Sequence, residues 1–439
     1  MVGDKYIIVN NLGGRGCAPC DAKWIVSDTE LGGHRMKKKN LAALLMAGAM
    51  CMSLLAGCSA KDESSQPSAS QPAGQENQNG GVVTIKVGGI GPTTGNNAQY
   101  GTATQWGAEI AVEEINALGG PIKFDFKYED DTGAADTAVA AYNSLKDWAK
   151  DAPLVIYGCT TTTPCVAVAA ETYSDRYFQL TPSASSPDVT ANKDNTFQMC
   201  FTDPGQGSAA AEYLKSSGLG TKIGVIYNNG DAYSTGIAEA FIAKTKELGM
   251  ELVATQTYPD DKTTDYTVQL NACKDAGADL VFLPIYYTPA SLILAQAKQM
   301  NYAPIFFGGD GMDGMLDMDG FDKSLAEGLL LMTPFNASGT DERTKTFVET
   351  YQAAHGILPN QFAADGYDCM YAIYEACCQI DGIADMDHAQ LCDALIALFT
   401  GGDFSVDGLT GTGMKWLTTG EISKAPVVVK VENGGYVTQ

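Results

Sequence analysis

Residues 154–165 read LVIYGCTTTTPC, an apolar run that gives way to four consecutive threonines and a proline. The apolar run at 154–157 reads as a strand of a parallel sheet. Threonine is mediocre inside a helix but good at its start, and Pro164 suits the first helical position, where no backbone N–H is needed. The stretch therefore predicts strand, turn and helix N-terminus in succession, with Thr163 as the cap and Thr162 facing outward. In open α/β sheets ligands bind beyond the carboxyl ends of the strands, where helix N-termini offer unpaired donors and a partial positive charge. The Thr162 hydroxyl and its neighbouring amides suit an anionic group; a capped helix with solvated hydroxyls is the plainer reading of the same residues.

The same alternation extends outward in both directions. Residues 83–87 read as a strand, and over 100–118 the residues Gly107, Ala108, Ala111, Val112, Ile115 and Leu118 recur at helical spacing. Strand-like runs follow at 124–128 and 177–180, and a second series begins at 222–227 and continues through 252–258, 280–283 and 305–307. Strands separated by segments of helical length predict βαβ units around parallel sheets, and two successive series predict two α/β lobes. A second polar turn, Thr181-Pro182-Ser183-Ala184-Ser185-Ser186-Pro187, follows the strand at 177–180, so two neighbouring loops present hydroxyls to one crevice.

Composition narrows the partner. The chain has 439 residues, 45% of them hydrophobic, enough for two sizeable cores. Its formal charge of -24 and the lack of a basic block beyond Lys37-Lys38-Lys39 argue against nucleic acid or an anionic membrane surface and for a small molecule. From Met36 a basic start, an apolar stretch at 41–55 too short for a membrane span, and small residues read as a secretory signal over 36–57. Its end, Leu55-Ala56-Gly57-Cys58, resembles a bacterial lipobox, which implies that Cys58 becomes a lipid-bearing N-terminus; an ordinary secretory signal or an uncleaved anchor is the alternative. Translation is expected to start at Met36, with 1–35 an upstream extension. Residues 58–82 have almost nothing apolar to bury and read as a flexible tether, about 27 Å end to end as a random coil.

Six motifs in order carry a family resemblance: GPTTGNNAQYG (91–101), EEINALGG (113–120), YEDDTG (128–133), TPSASSPDVT (181–190), GVIYNNGDAYSTG (224–236) and GYDCMYAI (366–373). Together they resemble the branched-chain amino-acid-binding proteins of ABC importers, in the type I periplasmic binding protein class. The resemblance implies a two-lobed, Venus-flytrap α/β fold: lobe 1 from 83–202 and 335–412, lobe 2 from 203–334 and 413–439, joined by three hinge crossovers. It implies that Thr162 binds a ligand carboxylate, that the Ser183 carbonyl meets its ammonium and that Ser185 contacts both ends. Tyr286 and Asp310 complete the ammonium site, and Tyr100, Tyr233 and Tyr367 are aromatic residues at the mouth and lobe interface. Asp310 stands where the family has a glutamate, one methylene longer. A buried ammonium needs a carboxylate partner, which Asp310 supplies; the plainer reading is a surface turn residue in Gly308-Gly309-Asp310-Gly311.

The remaining constellations carry no chemistry. Asp310, Asp313, Asp317, Asp319 and Asp322 lack the spacing and closing Glu of a calcium loop. Gly89-Ile90-Gly91 is followed by Thr94 where a dinucleotide fingerprint has its third glycine. No Gly-x-Ser-x-Gly or His-Glu-x-x-His occurs, and Cys17-Ala18-Pro19-Cys20 has no βαβ context for redox work. Cys159 and Cys165 flank the threonines and could pair, whereas Cys377-Cys378 read as buried apolar positions; no disulfide is assigned. The expectation is an extracytoplasmic, lipid-anchored, monomeric solute-binding protein, without cofactor, metal or enzymatic activity. It would close about its hinge on an amino acid, branched-chain or related, and deliver it to the permease subunits of an ABC importer. A ligand sensor for a signalling system, or a binder of another small carboxylate or amide, is the alternative.

Overall fold

The computed structural model describes residues 81–260 and 262–439. The upstream extension, the signal segment, Cys17, Cys20, Cys58 and most of the tether lie outside the described residues. Among those described, no helix is long and apolar enough to cross a membrane.

The chain runs β1 (Val83–Gly91), α1 (Ala98–Ala117), β2 (Ile122–Asp130), α2 (Ala135–Ala149), β3 (Leu154–Gly158), α3 (Thr162–Asp175), β4 (Gln179–Thr181) and β5 (Thr196–Gln198). These five strands form one parallel sheet in the order β2-β1-β3-β4-β5. Then come α4 (Asp203–Ser217), β6 (Lys222–Asn228), α5 (Ala232–Glu247), β7 (Glu251–Tyr258), α6 (Thr267–Asp275), β8 (Leu280–Leu283), α7 (Tyr287–Gln299), β9 (Ile305–Gly308) and β10 (Leu330–Thr333). After α8 (Glu342–His355), α9 (Gln361–Cys377) and α10 (His388–Thr400), the hairpin β11 (Val427–Glu432) and β12 (Gly435–Thr438) completes a second sheet, ordered β12-β11-β10-β9-β8-β6-β7. In these two sheets the antiparallel pairings are those of β11, with β10 and with β12.

The chain thus crosses between the two sheets three times: between β5 and α4, between β10 and α8, and between α10 and β11. The third crossing lies along the edge of the first sheet, where the Trp416 indole donates to Gln198 O at 2.9 Å and Gln198 N donates to Gly420 O at 2.9 Å. That contact covers an edge strand which would otherwise present open backbone groups.

Helix α1 packs on α9 because small residues line the contact: Gly107 sits so close that a Cβ there would lie 1.9 Å from Ala363 O. Tyr100, Ala103, Ala111 and Ile115 bury the same flank at three- and four-residue intervals. Seven of the eight described cysteines are buried, and none is disulfide-bonded.

Candidate functional site

Strand β3 ends at Gly158, whose φ of +117° and whose approach to Ile90 O, 2.3 Å from where a Cβ would stand, suit only glycine. The chain then turns through Thr160 and Thr161 into α3. The helix begins two residues earlier than the sequence predicted: Thr161 is the cap position, Thr162 the first helical residue and Pro164 the third. The third residue's N–H is still one of the four without an intrahelical partner, so proline costs nothing there. Nor does Thr162 face outward; it is 1% exposed, and its hydroxyl and that of Thr161 are buried without a hydrogen-bond partner.

The second polar turn is tied to the first. Ser183 Oγ donates to Thr160 O at 2.6 Å, and Thr181 Oγ1 donates to Cys159 O at 2.6 Å while accepting from Ala184 N at 3.0 Å. Ser185 is wholly buried with an unpartnered hydroxyl, and its carbonyl accepts from Asp203 N at 3.0 Å.

Asp310, from the second sheet's side, follows β9 and is 4% exposed, so it is no surface turn residue. Its Oδ1 accepts from Tyr233 Oη at 2.7 Å and Gln206 Nε2 at 2.9 Å, and its N–H donates to Gln206 Oε1 at 3.0 Å. The Tyr286 ring stacks on Tyr233, centroids 4.8 Å apart and 5° from parallel. The two sides meet directly: the Tyr100 hydroxyl donates to Gly311 O and accepts from Tyr287 N at 3.1 Å, and Gln361 Nε2 donates to Asp310 O at 2.8 Å.

Tyr100, Thr160, Thr161, Thr162, Ser183, Tyr233, Tyr286, Asp310, Gly311 and Phe362 line the cavity between them, which encloses only about 10 Å³. That holds one water at most, so a larger solute enters only when the sides part. No Lys or Arg is among these residues. Burial raises the Asp310 carboxyl above its ordinary range, against the opposing pull of the Tyr233 and Gln206 hydrogen bonds. Asp203, the first residue of α4, is wholly buried with both carboxyl oxygens unpartnered. Burial pushes it well above the usual range, the nearby Ser185 opposes this and repulsion from Asp310 adds to it. One face of the cavity thus offers uncommitted hydroxyls and a helix N-terminus, and the other offers the Asp310 carboxyl with no cation among the lining residues.

Of the residues expected at the site, Tyr100, Thr162, Ser183, Tyr233, Tyr286 and Asp310 come together around this cavity. Ser185 lies behind it, against Asp203. Tyr367 does not join them: it is buried where α9 meets α1, its hydroxyl donating to Glu114 Oε2 at 2.6 Å. Phe362, five residues earlier, takes the place at the cavity, because five residues turn a helix through about 140° beyond a full circle. Thr160 and Thr161 lay inside the threonine run, whereas Gln206 and Asp203 carried no local signal.

Comparison with known proteins agrees with this architecture. The sequence model of the periplasmic binding protein family matches residues 84–435. A Leu/Ile/Val-binding protein homolog 3 of Brucella melitensis is 32% identical over 232 residues, 52% of this chain and 61% of that protein. A leucine-, isoleucine-, valine-, threonine-, and alanine-binding protein of Pseudomonas aeruginosa is 26% identical over 321 residues, 72% of this chain and 82% of that one. The chain spans about three fifths of the length of the first curated relatives it matches. Among solved structures, a leucine binding protein LivK of Thermotoga maritima superposes with a TM-score of 0.71 at 25% identity, covering 81% of this chain and 97% of that one. LivJ of Streptococcus pneumoniae in complex with isoleucine gives the same TM-score and identity over 81% of this chain and all of that one. With a family match across both sheets and all three crossings, this chain belongs to the periplasmic binding protein family.

Proposed function

We propose that the protein is an extracytoplasmic solute-binding protein that captures an α-amino acid, branched-chain or related, by closing two hinged lobes over it. The observation that carries this reading is the opposition, across one buried cavity, of the unpartnered hydroxyls of Thr161 and Thr162 and the Asp310 carboxyl, which has no cation among the lining residues. A zwitterion supplies what each face lacks: its carboxylate meets the Thr162 hydroxyl and the start of α3, and its ammonium meets Asp310, Asp203 and the Ser183 carbonyl. Ser185, next to Asp203, would position that carboxylate. Tyr100, Tyr233 and Tyr286 would wall the ligand, with Tyr367 acting only through the packing of α9.

The lobes would be 83–202 with 335–412 and 203–334 with 413–439, rotating about the three crossings. The tight cavity favours a cycle in which the Tyr100–Gly311 and Gln361–Asp310 contacts part to admit the ligand and close behind it. The names of the relatives support amino acids as ligands and delivery to an ABC importer as the outcome. Cys58 would anchor the protein, as a monomer, to the bacterial membrane by a lipid. No covalent chemistry is involved, so the ligand is recovered unchanged.

Titration calorimetry of the full chain against the α-amino acids tests this reading. At least one should bind, and Asp310→Asn, which keeps an oxygen for Tyr233 and Gln206 but loses the charge, should weaken it by about 2 kcal/mol or more, roughly thirtyfold. Undiminished binding by that variant would remove Asp310 from the ammonium site.

A further inference from the structure

Four rings line the cavity together with Asp310: Tyr100, Tyr233, Tyr286 and Phe362. They come as two pairs from opposite sides. Tyr100 and Phe362, in the first turns of α1 and α9, have their centroids 4.5 Å apart, while Tyr233, in the first turn of α5, stacks on Tyr286, the residue before α7. Across the divide the centroids of Tyr100 and Tyr286 are 5.6 Å apart. The backbone next to Asp310 lies within this group: the Tyr100 hydroxyl donates to Gly311 O, Gly311 N donates to the Tyr233 hydroxyl at 2.9 Å, and a Cβ on Gly311 would stand 3.1 Å from Tyr286 Cδ1. None of the described lining residues is Leu, Ile, Val or Met, so the carbon surface that meets a ligand's positive end is largely aromatic.

Hydrogen bonding points the same way. A primary ammonium brings three N–H donors, each of which needs an acceptor when buried. The oxygens around the rings are already engaged: Asp310 Oδ1 by Tyr233 and Gln206, Asp310 O by Gln361, Gly311 O by Tyr100 and Thr160 O by Ser183. A methyl group in place of each N–H removes a donor that must find a partner. It also spreads the positive charge over C–H groups, which the negative faces of Tyr and Phe attract most strongly when water is excluded.

We propose that the preferred ligand is an α-amino acid methylated on its α-nitrogen, up to the trimethylated betaine, whose positive end is enclosed by Tyr100, Phe362, Tyr233 and Tyr286 beside Asp310. The inference rests on the zwitterion clamp and concerns only what surrounds its positive end. Parting of the two sides separates the ring pairs, and closure brings one pair to each side of the methylated nitrogen. The carboxylate keeps its place at Thr162 and the start of α3.

Glycine, sarcosine, N,N-dimethylglycine and glycine betaine carry none to three N-methyl groups on one backbone, so their affinities isolate the cage. L-Leucine, unmethylated, reports on the clamp alone. Calorimetry on the full chain should find affinity rising along the methyl series, with betaine at least about tenfold tighter than glycine. Phe362→Leu and Tyr286→Leu, which keep an apolar side chain but remove a ring, should each lower the betaine-to-glycine ratio at least about threefold, and Phe362→Tyr should preserve it. Betaine binding no tighter than glycine while glycine or leucine binds, or a ratio unmoved by both leucine variants, overturns the cage and leaves the clamp standing. If none of the five compounds binds, the clamp itself is wrong and the cage goes with it.

Discussion

Two hydroxyls without partners, on Thr161 and Thr162, are costly in a ligand-free protein, since a buried polar group left unsatisfied costs about 1–3 kcal/mol. Thr162→Ala removes one such cost and one ligand contact together. The ligand-free variant should therefore unfold at the same temperature as the parent or a higher one, while its affinity for the preferred amino acid falls about 10- to 150-fold, the worth of a hydrogen bond to a charged group. Thr162→Ser should restore most of the affinity. A variant that loses stability but not affinity would make Thr162 a packing residue. Thr162 was legible because its neighbours in sequence define the strand-to-helix turn. Gln206 was not: its partner Asp310 is 104 residues away, and no local pattern reports a hydrogen bond across that separation. Tyr367 shows the same limit in another form, since the motif at 366–373 pointed to the right segment but not to which of its faces meets the cavity.

At the scale of elements, long periodic segments and continuous apolar runs were readable, and short ones were not. The helix expected over 100–118 spans Ala98–Ala117, and the strand expected at 222–227 spans Lys222–Asn228. The strand expected at 177–180 is Gln179–Thr181, the three-residue β5 is too short to establish a period, and the terminal hairpin also went unread. Nor does periodicity reveal which helices pack together. The closeness of α1 to α9 depends on Gly107, and two effects compete when it becomes alanine. Helix propensity favours the change by about 1 kcal/mol, but a methyl 1.9 Å from Ala363 O forces the helices apart, at a cost of about 1–3 kcal/mol or more. Gly107→Ala should therefore lower the unfolding free energy in urea by about 1 kcal/mol or more overall. A gain in stability would show that α1 and α9 shift past each other at little cost.

Across the whole molecule, buried carboxyls make stability depend on pH in an unusual direction. Burial raises Asp365 to about 7 despite its 2.6 Å ion pair with Lys424, and raises Asp131 to about 7 and Asp313 to about 6; Asp310 and Asp203 move the same way. Between the unfolded carboxyl range and these raised values the folded chain binds more protons than the unfolded one, so stability is greatest in mild acid and declines as pH rises through about 7. The chain's overall charge of -24 adds self-repulsion with the same sign, but repulsion between exposed charges is screened at about 1 M salt and the cost of buried ones is not. The unfolding temperature should thus fall between about pH 5 and pH 8 even in high salt. An amino acid's ammonium favours the ionised forms of Asp310 and Asp203, so its stabilising effect should grow over that interval and its binding should release protons, seen as a buffer-dependent heat. Asp310→Asn should reduce that release. A chain that grows more stable from pH 5 to pH 8 in high salt would mean that the buried carboxyls are already ionised in the folded protein, and a binding heat identical in buffers of different ionisation enthalpy would mean that Asp310 and Asp203 are ionised before the ligand arrives.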